Sequence, residues 1–169
     1  VQIAVVIAGA VAGLVLCRHQ RFPASQFDID YGRRAAWSLL AVFFILLLSL
    51  PLLAGFNSLA AVMDAFYRAG ALVFGGGHVV LPLLEQTVVE PGWVAADEYL
   101  AGYGAAQAVP GPVFSVAAYL GALLPGEMGG VSGAVLALCA IFLPGFLLIA
   151  AMLPLWQSVL KYPLAASAL

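Results

Sequence analysis

Charge is what this sequence has least of. Among 169 residues, Lys and Arg number 6 and Asp and Glu 8, so 8% of the chain is charged, against ~25% in an average soluble domain. A soluble fold of this size needs a polar surface over its core, and so few ionised side chains do not supply one. Histidine is nearly absent too: His19 and His78 are the whole supply, which argues against a histidine metal site. Cysteine is limited to Cys17 and Cys139. Both sit in apolar stretches, with no CxxC pair and no disulfide framework, and read as small buried hydrophobes. The net charge of −2 argues against nucleic acid as a partner, which demands a basic face. No HExxH, GxSxG or P-loop occurs, and no cofactor motif. A membrane-embedded enzyme would be short of catalytic groups.

What the chain has is apolar surface. Hydrophobic residues make up 64% and the mean hydropathy is +1.10. That rules out disorder and makes the lipid bilayer the solvent in which the composition is stable. The expected fold is all-α, a polytopic transmembrane helix bundle. A bilayer core of ~30 Å takes roughly 20 apolar residues of helix. Residues 1–17 carry no charge and read as one span, without the basic start of a signal peptide. Residues 18–34 are a polar linker holding Arg18, Arg21, Arg33 and Arg34, and the positive-inside rule puts it in the cytoplasm. Residues 35–54 are the next span. Further spans are expected over 131–152, kinked at Pro144-Gly145, and from Pro154 onward.

Two segments between these spans are interrupted. Residues 58–89 are long enough to cross but carry Asp64, Arg68 and His78 and are broken by Gly75, Gly76 and Gly77. Each glycine in a helix interior costs ~1 kcal/mol against alanine, so two half-helices are expected, 58–74 and 78–89. Residues 99–124 are uncharged but broken at Pro110-Gly111-Pro112, since proline lacks an amide donor and clashes with the preceding turn. Half-helices over 99–109 and 113–124 follow, with Pro112 suited to a first helical position and Asp97 to a cap. Pro91-Gly92 marks a turn, and Trp93 suits an interfacial anchor. Whether 58–89 crosses or re-enters is left open, and with it the side on which 90–98 lies.

Backbone at membrane depth must be hydrogen-bonded or line a polar cavity, and paired interruptions in a transporter point to the substrate site. Both breaks create helix N-termini, which offer free N–H groups and a partial positive charge. A small oxyanion suits such ends; packing kinks are the competing reading. Asp64 and Arg68, at i and i+4, either line an aqueous path, with Arg68 attracting an anion and Asp64 titrating, or form a structural ion pair. His78 can donate a hydrogen bond or carry a proton. Glu85, seven residues on, is an interfacial residue or shares the His78 face. Gln107 can donate to an oxyanion or cap broken backbone. Ser115 and Tyr119 suit helix contacts. The pairs Gly9/Gly13, Gly126/Gly130 and Gly129/Gly133 match the close-packing spacing.

The run Phe74-Gly75-Gly76-Gly77-His78-Val79-Val80-Leu81-Pro82-Leu83-Leu84 resembles the glycine-rich signature of the chromate ion transporter family, and Gln107-Ala108-Val109-Pro110-Gly111-Pro112 resembles its Gln-x-x-Pro-Gly-Pro signature. Family members come as long chains of two homologous halves or as pairs of short proteins, and export chromate across the bacterial inner membrane. A His after three glycines resembles the C-terminal half of a long chain. The resemblance then implies that 1–17 is the last helix of a preceding half, 18–34 the inter-half linker, and 35–169 a transporter half-domain cut short at its end. It implies an oxyanion substrate, chromate or else sulfate, and a homologous N-terminal half as partner; a homo-oligomer is left open. The substrate-binding residues expected are Gly75, Gly76, Gly77, His78, Gln107, Pro110, Gly111 and Pro112 by motif, with Arg68 from the charge pattern. Asp64 and His78 are candidates for proton coupling. A scaffold subunit that moves nothing is the alternative of another class.

Overall fold

The computed structural model describes residues 31–73, 77–108 and 111–160, apart from the side chains of 77, 78, 155 and 157–160. The span expected over 1–17, most of the 18–34 linker, and Gly75, Gly76 and Pro110 lie outside the described residues. Six α-helices and no strand are found among them. The chain divides into two compact units, one of residues 1–40 and 149–169, the other of residues 41–148.

Helix α1, Arg33–Ala54, is 22 residues of nearly unbroken aliphatic and aromatic sequence. Helix α6, Gly130–Leu160, is its long counterpart. Among the described residues, these are the two helices long and apolar enough to cross a bilayer. Only 17% of the apolar window of α1 and 28% of that of α6 is buried. The core helix of a soluble protein would be mostly covered, whereas Leu48, Leu52, Val131 and Phe146 stand exposed. An apolar helix with an uncovered apolar face belongs against lipid tails. The chain is an all-α membrane helix bundle.

The interrupted segments lie between these two helices in sequence. Helix α2, Ser58–Leu72, starts at Asn57, whose side chain accepts the Leu59 amide at 2.9 Å, the usual service of a capping asparagine. It ends at Val73, which is extended (φ −75°, ψ 105°). Helix α3, Gly77–Leu84, restarts the chain and passes into a π-helical turn, Glu85–Val89. Helix thus stops at Leu72 and resumes at Gly77, so the last of the three glycines opens the second half-helix and does not interrupt it. At ~1.5 Å per residue, neither the 15 residues of α2 nor the 8 of α3 reach across a bilayer core.

The π turn ends in a Schellman arrangement. The Trp93 amide bonds the Val88 carbonyl at 3.0 Å and the Gly92 amide bonds the Val89 carbonyl at 2.9 Å. Gly92 takes φ 77°, a region that costs an L-residue ~1–2 kcal/mol. Gly92→Ala is therefore expected to lower stability by about 1 kcal/mol, read as the unfolding midpoint in detergent micelles. An unchanged midpoint would mean the turn relaxes to another type.

Helix α4, Ala96–Ala108, begins earlier than expected. The Tyr99 amide already bonds the Ala95 carbonyl at 2.9 Å, so Asp97 is not the cap; it lies with Glu98 in the first turn, where negative charge suits the helix dipole. The second restart also departs from expectation. Pro112 is extended (φ −67°, ψ 126°) and stands before the helix, not in it. Val113–Ser115 is a 3-10 turn closed by the Ser115 amide on the Pro112 carbonyl at 2.9 Å, and α5 runs only from Val116 to Ala122.

Helix α6 runs through Pro144 and Pro154 without ending, where a separate last helix was expected. Proline is tolerated in membrane helices because neighbours re-satisfy the freed backbone. Pro144 is fully buried and lies against Gly70 of α2.

Within the larger unit, Val62, Phe66 and Ala69 of α2, Val80 and Leu84 of α3, Val116 and Leu120 of α5, and Ala137 and Ile141 of α6 form one core. Four glycines set its helix spacing. A Cβ on Gly70 would run into the Ile141 carbonyl, and one on Gly102 into the Tyr119 ring. Gly121 and Gly133 each face the other's backbone. Both members of the Gly129/Gly133 pair thus make close approaches, Gly133 to Gly121 within α5 and Gly129 to the Ala122 and Leu124 carbonyls at its end. The Gly126/Gly130 pair does not mark helix packing: those residues take φ 68° and 66° around a 3-10 turn, Gly126–Met128.

Candidate functional site

The restarts after the two breaks are brought together. Helix α3 packs on the Val113–Ser115 turn, and α4 packs on that same turn and on the π turn. Two buried tyrosine hydroxyls brace the surroundings. Tyr99 of α4 donates to the Leu81 carbonyl of α3 at 2.6 Å. Tyr67 of α2 donates to the Phe43 carbonyl of α1 at 3.0 Å. In apolar surroundings a phenol needs such a partner, and each bond ties one helix to the backbone of the next.

Gly77 opens α3, and His78 follows it within the helix. Gly111 and Pro112 are exposed on the approach to the 3-10 turn. Gln107 is exposed near the end of α4 and donates from Nε2 to the Tyr103 hydroxyl at 3.2 Å. Ser115 is exposed, and Tyr119 covers Gly102.

Arg68 and Asp64 meet as their spacing requires. Arg68 Nη2 lies 3.2 Å and 3.4 Å from the two carboxylate oxygens. The Arg68 side chain is 39% exposed and that of Asp64 19%, so the pair is partly open to its surroundings. Its charge is largely cancelled on its own helix, which leaves Arg68 a weaker anion attractor than an unpaired arginine. Among the described residues, no hydrogen bond joins this pair to Gln107 and Tyr103.

A cleft of ≈ 210 Å³ lies between α3 and α4, lined by Leu81, Pro82, Glu85, Tyr99, Leu100 and Tyr103. Sequence reasoning missed Tyr99 and Tyr103. The one signal for Tyr103 is its place four residues before Gln107. Glu85 is exposed at the start of the π turn. Thr87 in that turn satisfies its hydroxyl on the Leu83 and Leu84 carbonyls, at 3.0 and 3.1 Å. Such π turns occur frequently at functional sites.

A lipid-facing helical scaffold that places two interrupted segments against one another defines an integral membrane protein with broken helices in its core. Residues 60–169 match the family model described as chromate transporter, and the chain belongs to the chromate transporter family. It is 34% identical over 99 residues to a probable chromate transport protein of Synechococcus elongatus, covering 58% of this chain and 24% of that one. It is 33% identical over 99 residues to a chromate transport protein of Cupriavidus metallidurans, covering 58% of this chain and 24% of the relative. An uncharacterized transporter of Bacillus subtilis, YwrB, is 40% identical over 82 residues, 47% of this chain and 40% of its own length. The chain thus spans about a quarter of the length of the chromate transport proteins it matches. No solved structure matches it.

Proposed function

We propose that this chain is part of a transporter that moves a tetrahedral oxyanion, chromate first among them, out of the cell across the bacterial inner membrane. The observation that carries the reading is the pairing of two interrupted helices, each bearing a family signature, whose restarts pack together in a lipid-facing bundle. A broken helix presents backbone groups that a continuous one hides, and the amides of Gly77, His78, Gly111 and the neighbouring residues are the donors available to an anion. Helix α3 supplies the fuller N-terminus, while the second break offers fewer amides, since Pro110 and Pro112 carry no N–H and the Ser115 amide is bonded to the Pro112 carbonyl. Gln107 adds a side-chain donor beside it. The Arg68–Asp64 pair lends a local field more than a direct contact. A homologous half completes the site.

Export of a dianion from a negative-inside cell is electrically downhill by roughly 4–5 kcal/mol per 100 mV. The potential alone can therefore drive it. Proton coupling through Asp64 or His78 would add a pH gradient to that drive. Sulfate, of the same shape and charge, is the natural competitor.

The test is chromate uptake into inverted vesicles carrying the full-length protein, with sulfate added in excess. Saturable uptake above empty vesicles is expected. Its absence, from protein shown to be inserted and monodisperse, removes chromate as substrate.

A further inference from the structure

We propose that Tyr103 is a positioning residue for Gln107, and that the two side chains act as one donor unit beside the second break. The inference rests on the reading above, in which Gln107 serves the anion path.

Gln107 is exposed at the end of α4, where a side chain with three rotatable bonds has no fixed direction of its own. Among the described residues its one hydrogen bond is to the Tyr103 hydroxyl, at 3.2 Å and one turn back on the same helix. Tyr103 is the firmer partner: its ring is half-buried against the main core and forms part of the cleft wall. The ring therefore holds the hydroxyl in place, and the hydroxyl holds the amide.

The chemistry suits an anion. Because the phenol accepts the amide proton, its own O–H stays free to donate, and accepting one hydrogen bond strengthens a hydroxyl as a donor to another. The second amide N–H of Gln107 has no partner among the described residues. The pair thus presents two neutral donors from a fixed base. Neutral donors hold a dianion without trapping it, and conduction requires that binding be weak enough for release. Were Tyr103 only core filling, its hydroxyl would be surplus and phenylalanine would serve equally well.

The experiment uses the full-length protein in inverted vesicles, with initial chromate uptake measured over a range of chromate and normalised to inserted protein. Wild type is compared with Tyr103→Phe, Gln107→Ala and the double variant. Loss of the bond is expected to raise KM about fivefold in Tyr103→Phe, the equivalent of one hydrogen bond, with the maximal rate nearly unchanged. The double variant is expected to be no worse than Gln107→Ala alone. Tyr103→His, whose ring nitrogen can accept the same amide proton, is expected to recover part of the loss.

A structural role alone would lower the inserted amount and leave KM untouched, which overturns the proposal. So does a double variant whose effect is the product of the two singles. If Tyr103→Phe fails to insert, Tyr103→His against Tyr103→Leu makes the same comparison, and equal KM values overturn the pairing. A silent Gln107→Ala removes Gln107 from the path and this inference with it, while leaving chromate transport itself standing. A wild type that moves neither chromate nor sulfate overturns the functional reading from which both descend.

Discussion

Gly70→Ala is expected to destabilise the protein by about 1–3 kcal/mol, the usual cost of overpacking a filled contact, and Gly70→Leu to prevent α2 from seating on α6. A Cβ at Gly70 would overlap the Ile141 carbonyl oxygen and lie 2.9 Å from the Ile141 carbonyl carbon and 3.1 Å from Pro144 Cγ. Two of those three atoms are backbone and cannot swing aside, so helix α6 has to retreat as a body. The loss then spreads through the core that Val62, Phe66 and Ala69 share with Ala137 and Ile141. Membrane helices associate through close van der Waals contact and not through exclusion of water, so a few tenths of an ångström of added separation are felt along the whole seam. Gly104→Ala is the control, because nothing lies within 4 Å of its Cβ position. The measurement is the thermal unfolding midpoint in detergent micelles. Equal midpoints for Gly70→Ala and wild type would mean that α2 and α6 do not meet at Ile141.

Gly76→Leu is expected to reduce chromate transport by roughly tenfold or more while leaving insertion intact, a loss equivalent to about 1.4 kcal/mol. Helix α2 stops at Leu72 and α3 starts at Gly77, so residue 76 immediately precedes the restart. Leucine there favours helix by ~1 kcal/mol relative to glycine and adds a bulky branched side chain at the residue before the restart. Closing or blocking the break removes the donors on which the functional reading depends, yet makes the segment more apolar and no harder to insert. Uptake into inverted vesicles, normalised to inserted protein, is the readout, with Gly76→Ala expected to fall between wild type and Gly76→Leu. Wild-type uptake by Gly76→Leu would take the glycine break out of the mechanism.

Much of the interrupted core could be read in advance because its determinants are local. Three glycines and a Pro-Gly-Pro end helices through their own backbone chemistry: at the first break helix stops and restarts within two residues of the expected places, while at the second α4 ends within one residue and α5 starts three residues late. The Asp64–Arg68 pair follows from i, i+4 spacing alone. Expectations failed where a neighbour decides. Pro154 was expected to open a new helix, yet α6 continues through it, as it does through Pro144 packed beside Gly70. Pro112 looked like a first helical residue, but its extended backbone turns the restart into a 3-10 turn. Gly126 and Gly130 have the spacing of a packing motif, but their positive φ values assign them to a turn.

The amino-acid sequence by itself determined the solvent, the helical class and the positions of the breaks, since transfer of apolar side chains into lipid and loss of backbone hydrogen bonds at Gly and Pro are properties of residues and their immediate neighbours. Only the tertiary structure decided which small residues carry helix contacts, that the Tyr67 and Tyr99 hydroxyls close on the Phe43 and Leu81 carbonyls, and that the two restarts share a boundary. Those are long-range pairings, and a pairing energy exists only once the fold has brought its two partners within contact distance.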